Sequence, residues 1–359
     1  MDTKPVFHGS DIEKICSYYN LKKEDIVKFG ANVNPLGLSP KAGRAIAEHV
    51  DILSSYPDRE YTSLRNTISS YCNIPADFIL PGNGSSELIS LLIQERAPKH
   101  TLILGPTYSE YSRELSFSGS TQEYYHLQES NDFEPDIPDL CRKLEQGYDF
   151  LILCNPNNPT GRTVQPELMR KIVQKCAENS VYLIADECFN DFLLDAEQHS
   201  LSGLLEAFPC LILLRAYTKM FAVPGVRFGW CMTADRTVID GLYRAGQPWN
   251  VSVIAQACAE AAAKQNGWRE QTARRIAEER AYLMDGLRSC GVRVYPGEAN
   301  FLLFHYSDEK LDEKLRKQGI MIRNCSNYRG LGPGFYRTAV KMRDASEKLL
   351  HALRQIQEI

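Results

Sequence analysis

The feature that most restricts the fold is a series of short, nearly uninterrupted apolar runs at 101–104, 150–154, 181–185, 211–214 and 226–232. Each is too short for a buried helix. Runs of this length carry apolar residues on both sides, as strands covered on both faces must. Longer stretches with helical spacing separate them. One opens at Pro166, a residue suited to a first helical position, and places Leu168, Met169, Ile172, Val173 and Cys176 along one face. Alternation of this kind predicts a mostly parallel sheet between layers of helices.

The flanks read differently. Residues 11–20 form a short amphipathic helix with Ile12, Ile15, Cys16 and Tyr19 on one face, and 344–357 form another that opens on an Asp344-x-x-Glu347 cap. A long charged helix over 267–289 precedes a strand at 301–304. With 359 residues the chain exceeds the usual size of one core, so a second, smaller α+β lobe is expected there. The expected division is 46–245 for the large domain, and 1–45 with 246–359 for the small one. Nothing resembling a flexible linker separates them, so a ligand cleft is expected between.

Composition then excludes several classes of function. Lys plus Arg number 41 and Asp plus Glu 45, a net charge of −4, so there is no general field to gather nucleic acid or an anionic membrane. Eleven cysteines are scattered with no CxxC pair, and seven histidines show no HxxxH or HExxH, which argues against both a disulfide framework and a metal site. The first residues carry no apolar leader, and no run of eighteen uncharged apolar residues occurs. A cytoplasmic location is expected.

Four segments at the ends of expected strands carry chemistry. Gly82-Asn83-Gly84-Ser85-Ser86-Glu87 is a small-residue turn before an apolar helix, where free amides make an anion site. Asn155-Pro156-Asn157-Asn158-Pro159-Thr160-Gly161 is a stiff loop that aims an asparagine. Asp186-Glu187 ends a buried strand, where a carboxylate needs a cationic partner. Arg215-Ala216-Tyr217-Thr218-Lys219 ends another, with Arg227 eight residues beyond the lysine in Pro224-Gly225-Val226-Arg227-Phe228-Gly229. Singly, each is compatible with an ordinary turn, cap or surface charge. Together they supply an anion cradle, a carboxylate and a lysine whose amine pKa a dry cleft would lower, the set that a pyridoxal phosphate site requires.

In order and spacing these segments resemble the fold-type I, aspartate-aminotransferase-like enzymes along the whole chain. The resemblance implies pyridoxal 5′-phosphate as cofactor, with Lys219 as the lysine that carries it, Asp186 as partner of the ring nitrogen and Asn157 as donor to the ring O3′. It further implies a phosphate cradle of Gly84, Ser85, Ser86, Thr218 and Arg227, a stacking ring at Tyr108, and Tyr56 as a phosphate ligand donated by the other subunit of a homodimer. Two positions depart from the usual pattern. Phe189 stands where many relatives have a tyrosine, and Ala216 where many have a hydroxyl.

Further segments resemble the O-phospho-L-threonine decarboxylases of cobalamin biosynthesis, kin of the histidinol-phosphate aminotransferases. These are Phe7-His8-Gly9, the stretch 29–37 containing Asn32, Gln247-Pro248-Trp249, and Ile322-Arg323-Asn324-Cys325 with Asn327-Tyr328. Ser10 replaces a second glycine of the usual His-Gly-Gly. By this resemblance His8, Gly9, Asn32, Asn157, Arg323 and Arg337 bind a phosphorylated amino acid. A histidinol-phosphate aminotransferase or another class I/II aminotransferase, and an O-phospho-L-serine decarboxylase, are the alternatives.

Overall fold

A computed structural model describes residues 12–48 and 50–358. The strands in chain order are β1 (Val27–Lys28), β2 (Ile79–Gly82), β3 (His100–Gly105), β4 (Thr121–His126), β5 (Phe150–Cys154), β6 (Tyr182–Asp186), β7 (Leu211–Ala216), β8 (Gly229–Met232), β9 (Arg293–Val294), β10 (Phe301–His305), β11 (Ile320–Met321), β12 (Arg323–Asn324) and β13 (Phe335–Ala339). Seven of them form one sheet in the order β2-β8-β7-β6-β5-β3-β4. β3 to β7 run parallel, and β8 is antiparallel to both β7 and β2. The expected α/β sheet is therefore present.

Burial explains which strands the sequence announced. β5 and β7 are buried along their whole length and β6 along all but its first residue, so they read as apolar runs. β4 is a sheet edge with half-exposed residues, and its sequence, Thr-Gln-Glu-Tyr-Tyr-His, gives no such signal. The run at 226–232 begins too early. Arg227 has φ 59°, outside strand conformation, and the strand starts at Gly229.

The small sheet, β12-β13-β10-β9, has its own core of Leu283, Leu287, Leu302, Phe304, Tyr336, Leu349 and Leu353, contributed with the helices Asn266–Ser289 and Arg343–Gln357. The larger core takes in Ala42 together with Ala255, Cys258, Ala259 and Ala262 of the helix Val253–Ala263, residues beyond the divisions expected at 45 and 246. The last helix starts one residue earlier than expected. Met342 occupies its cap position without a side-chain cap bond, and Asp344 lies in the first turn, where a carboxylate favours the helix dipole instead.

Two short ties couple the lobes beside the Asn155–Gly161 loop. The Glu298 amide donates to Gly161 O at 2.7 Å, and the Glu298 carboxylate accepts from the Thr163 amide at 2.9 Å. A Cβ on Gly297 would lie 2.9 Å from Thr160 O, so this approach requires glycine. No helix among the described residues is long and apolar enough to cross a membrane.

Candidate active site

β5, β6 and β7 end at Cys154, Asp186 and Ala216, and all three line one cavity of about 570 Å³ at the carboxyl ends of the strands. This is where open α/β sheets gather ligands. Parallel strands in register deliver their last residues to a common level, and Cys154 and Asp186 are direct cross-strand partners.

One end of the cavity is an anion cradle. Gly84 (φ 84°) precedes the helix Ser85–Arg96 and provides no side-chain cap, so the amides of the first turn face the cavity beside Ser85 and Ser86. Arg227 closes it from the other side. Its guanidinium is so close that a Cβ on Gly84 would lie 2.6 Å from Nη2, and a Cβ on Gly229 would lie 2.6 Å from the Ser85 amide nitrogen. Thr218 lines the same end, whereas Ala216 brings no hydroxyl.

The middle holds the expected carboxylate and lysine. Asp186 is buried and accepts from the Cys188 amide at 2.9 Å and from the Tyr111 hydroxyl at 2.6 Å. It forms no ion pair among the described residues, an arrangement that suits a cationic ring nitrogen facing it. Lys219 faces the same space. Burial, then the charges of Arg337 and Arg227, lower its amine pKa and favour the neutral nucleophile. Tyr108 lines the wall with its phenol pushed up to about 12 by burial. The Phe189 ring meets Phe301 edge-on at 4.9 Å and leaves that wall without a hydroxyl.

One expectation is corrected. Asn157 does not line the cavity: its Nδ2 donates to Pro106 O and to Thr160 Oγ1, both at 3.0 Å. Its neighbour Asn158 does line it, with Oδ1 accepting from Arg337 Nη1. Adjacent residues of a loop point to different sides, and no composition signal distinguishes two consecutive asparagines.

The far end is cationic. Arg323 and Arg337 are directly opposed partners across β12 and β13, and both line the cavity. Arg337 is buried, donates to Gly30 O at 2.9 Å and to Asn158, and lies 5.3 Å from the Phe301 ring centre. Arg323 is half-buried, donates to Asn327 Oδ1 at 3.1 Å and lies 5.5 Å from the Tyr328 ring. Like charges directly opposite one another destabilise a strand pair, so an anion between them would relieve a cost. Asn32 lines the cavity too, buried, with Oδ1 unpartnered.

Three expected residues remain. His8 and Gly9 lie outside the described residues. Tyr56 is 81% exposed, away from this chain's own cavity, with its ring 4.8 Å from Trp249. Sequence reading also missed Tyr111, Cys188 and the pairing of Arg215 with Glu187. That buried pair, at 2.7 Å and 3.0 Å to one carboxylate oxygen, braces the ends of β6 and β7 directly behind Asp186.

Cradle, unpaired carboxylate and dry lysine at the ends of parallel strands define a fold-type I pyridoxal phosphate-dependent enzyme. The chain belongs to the class I and II aminotransferases, whose family model matches residues 24–356. It is 32% identical over 353 residues to the threonine-phosphate decarboxylase of Salmonella typhimurium, covering 97% of this chain and 96% of the relative. It is 30% identical over 361 residues to a histidinol-phosphate aminotransferase of Nitratidesulfovibrio vulgaris, covering 99% and 95%. The crystal structure of a histidinol-phosphate aminotransferase from Clostridium acetobutylicum superimposes with a TM-score of 0.87 at 32% identity, covering 92% of this chain and 98% of that one.

Proposed function

We propose that this protein decarboxylates O-phospho-L-threonine to (R)-1-amino-2-propanol O-2-phosphate, as a step of cobalamin biosynthesis. The observation that carries the reading is the opposed pair Arg323 and Arg337 at the end of the cavity remote from the anion cradle. A second phosphate there leaves the substrate carboxylate unclamped. The similarity to the Salmonella typhimurium decarboxylase supports the same choice.

Gly84, Ser85, Ser86, Thr218 and Arg227 would hold the cofactor phosphate, Tyr108 would stack on the ring, and Asp186 would face the ring nitrogen. Asn158 takes the O3′ role expected of Asn157. When bound, pyridoxal phosphate supplies an electron sink for the pair released as the bond between Cα and the carboxylate breaks. Every other part falls to the chain. Arg337, fixed by Gly30 O and Asn158, presents its remaining edge to the substrate phosphate, and Arg323 closes on it from the facing strand. Asn32 offers an unpartnered Oδ1 to the substrate, and His8 and Gly9 are proposed as further substrate-binding residues.

With the phosphate held by Arg323 and Arg337, the substrate carboxylate would be left without a cationic clamp and free to depart as CO2. Lys219, a free amine of lowered pKa, would first take a proton from the substrate's ammonium group and then, as the ammonium, deliver a proton to Cα and return to the neutral amine. The exposed Tyr56 is proposed to complete the cradle of a second copy, which makes the functional unit a homodimer. O-phospho-L-serine lacks one methyl, which is worth about 1–3 kcal/mol of discrimination, so it is expected to be a slower substrate.

The second reading is a histidinol-phosphate aminotransferase, favoured by the solved structure at 32% identity. Turnover of each substrate with and without 2-oxoglutarate separates them. The decarboxylase consumes O-phospho-L-threonine with no keto acid present, whereas dependence on 2-oxoglutarate and consumption of histidinol phosphate would overturn the proposal.

A further inference from the structure

We propose that Tyr111 is a positioning residue that holds the Asp186 carboxylate in place and, through it, the proton on the cofactor ring nitrogen. This rests on the reading of Asp186 as the ring-nitrogen partner.

The geometry is specific. Tyr111 is fully buried in the first turn of the helix Ser109–Ser118 and donates to Asp186 Oδ2 at 2.6 Å, while the Cys188 amide donates to Oδ1 at 2.9 Å. Each oxygen therefore has one fixed donor, which pins the carboxylate plane. A hydroxyl donating to an ionised carboxylate at this distance is a strong, charge-assisted bond. Burial and the Asp186 charge push the Tyr111 phenol well above its ordinary range, so it stays protonated and donates at any pH the enzyme meets. The nearby Cys154 thiol donates to Pro156 O at 3.1 Å and makes no claim on Asp186.

The same helix start serves the ring from two sides. Tyr108 immediately precedes the helix and lines the cavity, and Tyr111, three residues on, meets its ring edge-on at 5.6 Å. One turn thus places the expected stacking ring and the donor to Asp186 together.

Removing the Tyr111 hydroxyl leaves the carboxylate one donor poorer in a buried place, where its charge is less well held. The shared proton then moves from the ring nitrogen toward Asp186, and the electron sink weakens. A phenol that is a stronger donor does the opposite.

The test is 15N NMR of the protein loaded with ring-15N pyridoxal phosphate, in the unaltered chain, in Tyr111→Phe, and with 3-fluorotyrosine at 111. The unaltered chain is expected to show a protonated ring nitrogen. Tyr111→Phe should move the resonance toward the unprotonated value and lower kcat by about tenfold with KM little changed. The fluorotyrosine should move it the other way, and it preserves the tyrosine framework should the phenylalanine variant fold poorly. An unprotonated ring in the unaltered chain would overturn the Asp186 reading itself. A protonated ring there, with the resonance unmoved by either substitution, would leave Asp186 in its role and overturn the role of Tyr111.

Discussion

Replacing Arg337 by lysine keeps the charge and removes the fork. In the structure the guanidinium donates to Gly30 O at 2.9 Å and to Asn158 Oδ1, from a site only 7% exposed. An ammonium at the end of a flexible stem satisfies one of these acceptors at most, and leaves the other buried and unmet. A hydrogen bond to a charged group contributes about 1.5–3 kcal/mol, and the lost grip on the ligand adds a similar amount. Arg337→Lys should therefore lower kcat/KM by about 3 kcal/mol or more, at least about 10²-fold. Arg323→Lys is a different case. Its side-chain bond among the described residues, to Asn327 Oδ1 at 3.1 Å, is solvent-accessible, so water replaces it, and the weakened grip on the substrate phosphate leaves an expected loss of about 1.5 kcal/mol, or about tenfold. Because the Asn158 side chain accepts from Arg337, Arg337→Lys should also weaken pyridoxal phosphate binding, and Arg323→Lys should not. The assay is steady-state turnover of O-phospho-L-threonine alongside cofactor titration by fluorescence. Equal losses in the two variants, or an unaltered cofactor affinity in Arg337→Lys, would refute the reasoning.

Other substitutions test other parts. Lys219→Ala should abolish turnover and the visible absorbance of the lysine-bound cofactor together, while the cofactor-free variant melts no lower, since the change removes a desolvated amine beside Arg337 and Arg227; retained turnover would remove Lys219 from its role. Gly84→Ala forces a side chain onto φ 84° and 2.6 Å from Arg227 Nη2, so cofactor affinity should fall at least about tenfold, checked by equilibrium dialysis. Lys341 lies outside the cavity, and burial with the nearby charge of Lys28 lowers its amine to about 8. The unfolded chain binds that proton up to its ordinary pKa of about 10.4, so this residue should make stability rise between about pH 8 and 10 by up to about 3 kcal/mol, a slope that urea midpoints should find flattened in Lys341→Met.

How much of this could be read in advance follows burial and direction. β5, β6 and β7 announced themselves because sheets covered on both faces demand continuous apolar runs, and the loops that follow them carry the site. β4 did not, because its edge position permits a polar sequence. Lys219, Asp186, Arg227, Tyr108, Arg323 and Arg337 were legible as residues, and the fold brings all six to one cavity. Side-chain direction was not legible. Asn157 and Asn158 are chemically identical neighbours, and only the folded loop turns one toward Pro106 and the other toward Arg337. The opposition of Arg323 and Arg337 is likewise a matter of register between strands eleven residues apart at their nearest ends, with an intervening turn whose path the sequence does not specify. Tyr111 carries no motif of its own, and its hydroxyl acquires meaning only beside Asp186.

The most direct test of the central claim uses O-phospho-L-threonine labelled in its carboxylate, mixed with the cofactor-loaded protein in the absence of any keto acid. Labelled CO2 should appear in equal amount with aminopropanol phosphate through many turnovers. No labelled CO2, with the cofactor instead converted once to its amine form by histidinol phosphate or glutamate, would contradict the account and make the enzyme an aminotransferase.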